Sequence, residues 1–341
     1  MYLEKMDEFI IYLQEKIKLG FFGEGVTKTN PLPKFLFELV GEANKVRIFD
    51  VGGKKVSIKS KNIITSWNNL EREYRILEAL QNFSVGSPKP YLFDSNRFGE
   101  PISVIEYIEG TPLVGMKVSN YLDKTADKLK EIHSINTNSD FFKQIGLSNY
   151  KTYEDFLKEI QQYVYMREKQ LSNLNLSSNI IKSLEEVINK GNERIEERRK
   201  FFRGNKFVFS HKDFGPENIL LDSSNEVRLI DWEYANVSDP AFDISILFYR
   251  ANMTNQDKKR FLSYYSLENE DTMQRIKTYI EYGTLPNLLW HIDRLYNQTY
   301  HLSPKKRPYY KIRLKKILIE LKKFELISEN GFKSMSSSLI F

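Results

Sequence analysis

Side chains that can bind a cation or handle a proton are concentrated in two loops near the middle of the chain. His211, Asp213 and Asn218 fall in one polar loop that is bracketed by apolar runs. Asp231 directly follows another apolar run, VRLI. Loops at the ends of strands are where a rigid scaffold commonly presents reactive groups. The pattern therefore predicts a site in which amide and carboxylate oxygens act together.

The types of these side chains indicate what the site does. An Asn amide oxygen and an Asp carboxylate oxygen are hard ligands of the kind that Mg²⁺ prefers, so Asn218 and Asp231 are candidate metal ligands. Asp213 is a candidate for orienting a hydroxyl group or accepting its proton. The spacing H-x-D-x-x-x-x-N, followed by a strand that ends on Asp, is typical of kinase-fold phosphotransferases. The alternative, ordinary polar loop residues of an α/β protein, leaves this spacing without a reason.

The segments SHKDFGPENILL and RLIDWEYANVSDPAFDIS resemble the aminoglycoside phosphotransferase and choline kinase superfamily. The usual family form is close to HGDxxxxN, then IDWExA, then DPxxD. Trp232 and Glu233 follow Asp231 where protein kinases carry the Phe and Gly of DFG, so a protein kinase is not expected. Lys212 departs from the Gly or Asn that is usual at its position. The resemblance covers about residues 35–300 and is specific for the superfamily, not for a substrate.

The resemblance implies an α+β, two-lobed protein-kinase-like fold, with a small antiparallel β lobe that carries one main helix and a larger, mostly helical lobe. It also implies transfer of the γ-phosphate of ATP, with Mg²⁺, to a hydroxyl group of a small molecule. Asp213 then holds the catalytic position, with His211 in the same loop. We expect the lobes to comprise residues 1–108 and 109–341.

The small lobe is predicted to begin with a three-stranded antiparallel meander at 34–40, 45–51 and 54–59. The first turn carries Gly41 and Asn44, which match the phosphate-covering G-x-x-N-x-V turn of the family. Taken alone, such a turn is equally typical of an ordinary β-hairpin. Lys59 ends the third strand, where its ammonium group can reach the α- and β-phosphates.

A helix is predicted at about 66–82, and Glu73 within it matches the R-E-x-x-x-L run of the family. An ion pair between Glu73 and Lys59 would hold the lysine in place. Glu71 and Glu78 are alternatives for this role. A solvent-exposed helix face is the default for any single glutamate.

Two further assignments follow from the resemblance. The segment VIEYIEG resembles the family hinge, so backbone groups near Glu106 and Ile108 are expected to bond adenine. Asp239 and Pro240 predict the start of a helix. Asp243 lies in its first turn, and we expect it to be a scaffold carboxylate close to the catalytic loop rather than a metal ligand.

The acceptor is expected to be cationic, either a choline-like amino alcohol or an aminoglycoside. Glu233 supplies a carboxylate beside the candidate metal ligand. Trp290 lies in LLWHIDRLY, which resembles the tryptophan-bearing late helix of choline kinases, and indole faces bind quaternary ammonium groups. The alternative is that Trp290 is a packing residue of an amphipathic helix. An aminoglycoside would instead require several carboxylates in a wide cleft.

Composition excludes other classes of protein. The 341 residues include no cysteine, so disulfides and thiolate sites are excluded. No apolar run is long enough for a bilayer, and MYLEKMDEFI lacks the apolar core of a signal peptide, so we expect a cytoplasmic protein. A net charge of +6 suits a nucleotide cleft without requiring nucleic acid. The basic run at 304–323 is predicted to be an amphipathic surface helix.

Local pattern predicts further elements outside the motifs. Apolar residues at helical spacing predict an amphipathic helix at 1–19, and the Gly, Thr, Asn and Pro residues at 20–33 favour a loop. A strand pair with a turn at 94–96 is predicted at 88–98. The helix at 271–300 is expected to break near Gly283 and Pro286, and the serines at 334–338 indicate a loose tail.

Three alternatives stay open. A catalytically inactive nucleotide-binding pseudokinase is disfavoured because all candidate metal and base positions are filled. A kinase of a non-cationic small molecule, such as a sugar or homoserine, fits the same motifs. A nucleic-acid-binding protein would leave the Asp213, Asn218 and Asp231 set without a role. The pattern distinguishes neither ATP from GTP nor a monomer from an oligomer.

Overall fold

The predicted α+β class is confirmed: the chain combines an antiparallel sheet with a larger, mostly helical part. A computed structural model describes residues 2–40, 44–61, 70–115, 118–138, 140–171, 173–203, 207–297 and 306–339. Its helices are α1 (Tyr2–Lys18), α2 (Glu24–Thr29), α3 (Leu70–Leu80), α4 (Leu122–His133), α5 (Asp140–Ile145), α6 (Tyr153–Leu171), α7 (Ser178–Glu197), α8 (Pro240–Arg250), α9 (Asn255–Tyr265), α10 (Glu270–Tyr296), α11 (Arg307–Lys323) and α12 (Glu329–Leu339). Its strands are β1 (Lys34–Val40), β2 (Asn44–Val51), β3 (Lys54–Lys61), β4 (Pro90–Asp94), β5 (Ile102–Glu106), β6 (Thr111–Pro112), β7 (Val208–Ser210), β8 (Ile219–Leu221), β9 (Val227–Leu229) and β10 (Asn236–Ser238).

The chain forms two compact units. The first comprises Met1–Ser148, Val208–Val237 and Arg250–Tyr265, and the second comprises Asn149–Phe207, Ser238–Tyr249 and Ser266–Phe341. Of the predicted site residues, only Asp243 and Trp290 belong to the second unit. The division into lobes at 1–108 and 109–341 stays a prediction.

The first unit contains a five-stranded antiparallel sheet in the order β1-β2-β3-β5-β4. The three predicted strands of the meander are present, and β3 lies at the centre of the sheet. Gly52 and Gly53 join β2 to β3 with φ angles of 62° and 83°, a left-handed turn that favours glycine. The register places Lys59 between Val46 of β2 and Ser103 of β5, so the lysine lies on the central strand.

Helix α1 packs on this sheet. Its apolar residues at helical spacing, among them Phe9, Leu13 and Ile17, are buried in one cluster with Phe49 and Ile58 of the sheet. Burying a large apolar side chain contributes about 1.5–3 kcal/mol, so the sheet and the helix stabilise one another. The amphipathic pattern of the first residues therefore predicts the helix and its packing role correctly.

The loop predicted at 20–33 is partly wrong, because α2 lies within it. Gly23 precedes the helix with a φ of 93°, and Asn30 ends it in the left-handed conformation, its N–H donating to the carbonyl of Val26. The Gly and Asn residues that indicate a loop here form helix termini instead. Burial of Val26 stabilises the short helix.

The strand pair predicted at 88–98 is also wrong. Only β4 forms there, and it pairs with β5 rather than with the residues that follow it. Arg97–Gly99 is a short 3₁₀ turn in which Phe98 has a φ of 59°. Extended backbone cannot continue through that conformation.

A second sheet has three strands in the order β6-β8-β9. The turn between β8 and β9 is closed by Asp222, whose Oδ1 accepts from the backbone N–H groups of Ser224 and Glu226 at 2.8 and 2.9 Å. Strand β10 pairs with β7. The loop of Asp213 therefore follows β7, which is paired with β10. The segment of Asp231 follows β9, which is paired with β8.

The second unit is mostly helical, and it corrects two predictions. Helix α10 runs unbroken through Gly283 and Pro286, where a break was expected. An internal proline costs about 3 kcal/mol. Buried residues on both sides of it, such as Tyr282 and Leu289, offset that cost. The tail predicted to be loose at 334–338 belongs to α12, because Met335 is buried. Among the described residues, none of the helices is both long and apolar enough to cross a bilayer.

Candidate active site

His211 links the two loops that carry the candidate chemistry. It follows β7 directly and is fully buried. Its Nε2–H donates to the carbonyl of Ile230 at 3.0 Å, and its ring lies 4.5 Å from the ring of Trp232, centroid to centroid. Since Asp231 lies between those two residues, His211 fixes the loop of Asp213 against the segment of Asp231. This geometry supports a structural role for the histidine within the site.

Both carboxylate oxygens of Asp213 are held. Its Oδ1 lies 2.7 Å from Nη2 of Arg250, and its Oδ2 accepts from Nδ2 of Asn218 at 2.7 Å. Burial raises the pKa of the Asp213 carboxyl above its usual range, although the Arg250 guanidinium opposes that shift. The carboxylate thus has a fixed orientation and a buried setting, as a group that positions a hydroxyl requires.

The amide of Asn218 is oriented by the same loop. Its Nδ2 donates both to Oδ2 of Asp213 and, at 2.9 Å, to the carbonyl of Asp213. Both amide hydrogens are therefore used within the loop. No hydrogen bond among the described residues uses Oδ1, which is the atom that can bind a cation.

Lys59 lies between two carboxylates. Its Nζ is 2.8 Å from both oxygens of Glu73 and 3.0 Å from Oδ1 of Asp231. Burial by itself would lower the pKa of Lys59, but the carboxylates of Asp231 and Glu73 outweigh it and raise the pKa. The pairing expected between Lys59 and Glu73 is present, whereas Glu71 pairs with Arg75 at 2.7 Å.

Asp231 combines an unusual backbone with partial exposure. Its φ is 66°, in the left-handed region that non-glycine residues rarely adopt, and its side chain is 37% exposed. Burial would raise its pKa, but the ammonium of Lys59 reverses the effect and lowers it. An ionised, partly exposed carboxylate in a strained backbone is typical of a ligand-binding position.

Arg72 also positions this segment, and sequence reasoning did not single it out. Its Nη1 donates to the carbonyl of Glu233 at 3.0 Å and its Nη2 to the carbonyl of Ala235 at 2.7 Å. Helix α3 thus holds the backbone beyond Asp231 through Arg72 while it holds Lys59 through Glu73. The only sequence signal was the Arg of the R-E-x-x-x-L run.

Glu233 lies close to the same charges. Burial, and then the negative charge of Asp231, raise the pKa of Glu233 to about 8. Its Oε2 is buried, with no hydrogen-bond partner among the described residues. A buried carboxylate oxygen without a partner is costly, so a cation at this place would relieve it.

These donors fit a magnesium ion. The described residues contain no cluster of three or more His, Cys, Asp or Glu side chains arranged for a metal. Mg²⁺ does not need such a cluster, because it is usually held by one or two protein oxygens together with phosphate oxygens and waters. The amide oxygen of Asn218 and the Asp231 carboxylate are hard oxygen donors of this kind.

The positions predicted for the nucleotide have different surroundings. Gly41 lies outside the described residues, and Asn44 is buried at the start of β2. The N–H of Glu106 already donates to the carbonyl of Lys89 at 2.7 Å. Within the described part of the chain, no hydrogen bond uses the backbone of Ile108. Ile108 is therefore the more available of the two hinge positions for a base.

The two predicted residues of the second unit lie on helices α8 and α10. Asp243 is fully buried in the first turn of α8, whose start is capped by Oδ1 of Asp239 as expected. Trp290 faces the guanidinium of Arg294 at 5.2 Å and lies 5.7 Å from the ring of Tyr310. The role of Asp243 in the scaffold stays a prediction, and acceptor binding and packing both stay open for Trp290.

One family model and several known proteins are similar to this chain. The model of a family described as "Phosphotransferase enzyme family" matches residues 53–279. The "Protein LicA homolog" of Mycoplasma capricolum subsp. capricolum is 25% identical over 253 residues, 73% of this chain and 91% of that protein. The hygromycin-B 4-O-kinase of Escherichia coli is 22% identical over 219 residues, 61% of this chain and 60% of that kinase.

A solved structure shows the fold. The crystal structure of choline kinase LicA from Streptococcus pneumoniae matches with a TM-score of 0.63 and 21% sequence identity. The match covers 95% of this chain and 100% of the other. The predicted kinase-like fold is therefore confirmed.

Proposed function

The chain belongs to the phosphotransferase enzyme family, and from that premise we propose that it transfers the γ-phosphate of ATP, with Mg²⁺, to a hydroxyl group of a small cationic molecule. It is a small-molecule kinase, a phosphotransferase with an alcohol group as acceptor. The observation that carries the proposal is the bridge from Lys59 to Glu73 and Asp231, at 2.8 and 3.0 Å. Phosphoryl transfer is catalysed mainly by positioning and by charge stabilisation, and this bridge supports both.

Six residues of the first unit have a part in this proposal. Lys59 binds the α- and β-phosphates, and its ion pair with Glu73 fixes the position of its ammonium group. Asn218 and Asp231 hold Mg²⁺, which when bound neutralises the phosphate charge. Asp213 orients the acceptor hydroxyl and takes its proton as the acceptor oxygen bonds to the γ-phosphorus, while the bond from that phosphorus to the β,γ-bridging oxygen breaks and ADP leaves. The backbone of Ile108 binds the base.

The carboxyl of Glu233 supports a cationic acceptor, because its pKa is raised to about 8 and a nearby cation would favour its ionised form. Glu233 has a buried oxygen without a partner among the described residues. A quaternary or primary ammonium group close to Glu233 would satisfy that charge and bring its hydroxyl towards Asp213. The names of similar proteins fit the same class, because one is a choline kinase and another a hygromycin kinase.

An aminoglycoside is the second candidate acceptor, and the similarity to the hygromycin-B 4-O-kinase favours it. Sugars and homoserine remain alternative acceptors with the same catalytic residues. An inactive pseudokinase is less favoured, because Lys59, Glu73, Asp213, Asn218 and Asp231 are all in place. We retain the cytoplasmic location as a prediction.

A screen of acceptors tests the proposal. ADP release from Mg·ATP is measured with choline, ethanolamine, hygromycin B, other aminoglycosides, glucose, homoserine and no acceptor. We expect one class of cationic alcohol to raise ADP release at least tenfold above the rate without acceptor, together with a new phosphomonoester signal in ³¹P NMR. A rise only with glucose or homoserine would overturn the cationic acceptor. ATP binding without any acceptor-dependent release would favour the pseudokinase.

A further inference from the structure

Arg250 closes α8, and its guanidinium lies between two carboxylates of the catalytic loop. Its Nη2 is 2.7 Å from Oδ1 of Asp213, and its Nη1 is 2.5 Å from Oε1 of Glu217. All three residues belong to the first unit. Neither Arg250 nor Glu217 occupies a fixed position of the H-x-D-x-x-x-x-N motif, so motif reasoning gives them no role.

The Arg250 contact completes the orientation of Asp213. The carboxylate is held at Oδ2 by Asn218 and at Oδ1 by Arg250. With Asn218 alone, the carboxylate could turn about its last torsion, because a terminal sp³–sp² torsion is broad. A misplacement of about 1 Å in a catalytic group can cost about a hundredfold in rate.

A guanidinium suits this geometry better than an ammonium group. A guanidinium presents several N–H donors in a rigid plane, so it can bind two carboxylates at once in fixed directions. An ammonium group is a point charge on a flexible stem and does not fix the plane of its partner. Glu217 completes the arrangement, because it holds the guanidinium on the side opposite Asp213.

A purely structural explanation is also available. A cation in the last turn of a helix interacts favourably with the helix dipole. That explanation predicts a loss of stability when Arg250 is replaced, and no separate effect on turnover. It gives no reason for the simultaneous contact with Asp213 and Glu217.

We propose that Arg250 is a positioning residue for phosphoryl transfer, which fixes the Asp213 carboxylate towards the acceptor hydroxyl and is itself held by Glu217. The inference rests on the proposed function, because it takes Asp213 as the group that handles the hydroxyl. Arg250 acts through Asp213 and does not touch the reacting atoms.

A double-mutant cycle tests the inference. Turnover of Mg·ATP is measured with choline, or with hygromycin B if choline is not phosphorylated, for the wild type, Arg250→Met, Arg250→Lys, Asp213→Ala and the double variant Arg250→Met/Asp213→Ala. We expect Arg250→Met to lower kcat about 10- to 100-fold while the KM for ATP changes less than threefold. Arg250→Lys is expected to recover only part of kcat. In the Asp213→Ala background, Arg250→Met is expected to have no further effect.

Two matched variants complete the test. Glu217→Gln keeps the shape of its side chain but loses the charge, and we expect a smaller loss of kcat, about two- to fivefold. Arg260→Met breaks a surface pair with Asp257, in which the arginine side chain is 48% exposed, and is expected to leave kcat unchanged. If Arg250→Met does not fold, the same comparison is made with Arg250→Lys. This substitution should lower kcat in the wild-type background and leave it unchanged in the Asp213→Ala background.

The possible failures are distinguishable. Near wild-type kcat in Arg250→Met, with kcat collapsed in Asp213→Ala, overturns the inference and leaves the proposed function intact. Equal losses from Arg250→Met in both backgrounds also overturn it, because the arginine then acts independently of Asp213. Wild-type turnover in Asp213→Ala would instead overturn the role of Asp213 in the proposed function.

Discussion

The surroundings of Lys59 in the first unit and of Trp290 in the second both combine ionised groups with aromatic rings, but they balance charge differently. Lys59 faces Glu73 and Asp231, and it also lies near Glu233, which has an unsatisfied buried oxygen. Three carboxyl groups therefore lie close to the ammonium group of Lys59. Around Trp290, the Arg294 guanidinium already faces the indole ring at 5.2 Å.

The rest of α10 shows the same local balance. Glu281 is buried and pairs with Arg198 at 2.9 Å, so its carboxylate is already neutralised. Asp293 accepts from Nδ2 of Asn297 at 3.0 Å. A cation close to Glu233 would therefore be stabilising, whereas the carboxylates of Glu281 and Asp293 already have partners.

The largest effect is expected at Asp213. Replacing it with alanine removes the group that orients the acceptor hydroxyl, so kcat should fall about 10²- to 10⁴-fold. The affinity for ATP should change less than threefold, because Lys59 and Asp231 are untouched. Steady-state turnover and nucleotide titration measure the two effects. Near wild-type kcat would remove Asp213 from the catalytic role.

A smaller effect, on stability, is expected at Glu233. Its pKa is raised to about 8, so the folded protein binds this proton more tightly than the unfolded chain does. Stability should therefore fall as pH rises from about 4.5 towards 8, by roughly 1 kcal/mol per pH unit from this group in the absence of metal. Glu233→Gln should lose that dependence.

Urea unfolding at several pH values, with a chelator present, checks the effect at Glu233. The matched control is Glu71→Gln, since the Glu71 side chain is half-exposed and pairs with Arg75. The control should keep the wild-type slope between pH 5 and 8. Identical slopes for the wild type and Glu233→Gln would contradict the account of Glu233 as an uncompensated carboxylate.

The smallest effect is expected at Trp290. Because Arg294 already uses one face of its ring, Trp290→Leu should change the KM for the acceptor less than threefold, while Glu233→Gln should raise it at least tenfold. Both values are measured with the best acceptor of the screen. A tenfold rise of KM in Trp290→Leu, with kcat unchanged, would place the indole in the acceptor site and weaken the comparison between the two regions.

The sequence predicts the parts of this protein that depend on local pattern. The three strands of the meander follow from alternation and glycine turns, and the partner of Lys59 follows from the motif around Glu73. Helices α2 and α12 were missed because turn-forming residues lie in them. Their helical state depends on burial of Val26 and Met335 by residues distant in the sequence. Propensity gives way to such tertiary contacts.

The positioning residues of the site were missed for the same reason. Arg72 binds carbonyl groups 161 and 163 residues away, and Arg250 reaches Glu217 from 33 residues further along the chain. The motif around Glu73 includes Arg72 but does not indicate which groups it binds, and the motifs quoted above give no role to Arg250. Residues that bind ligands have motifs because the chemistry fixes their type and spacing, whereas the residues that hold them in place do not.

The dependence of ATP binding on Mg²⁺ tests whether the carboxylates around Lys59 form a metal and nucleotide site. ATP is titrated calorimetrically into the wild type and into Asp231→Asn, each with Mg²⁺ and with a chelator. The account predicts that Mg²⁺ strengthens ATP binding by the wild type at least tenfold, and that Asp231→Asn loses most of this gain while its affinity for ATP in chelator changes less. Equal gains from Mg²⁺ in both proteins, or no gain in the wild type, would contradict the claim that the carboxylates around Lys59 form a metal and nucleotide site.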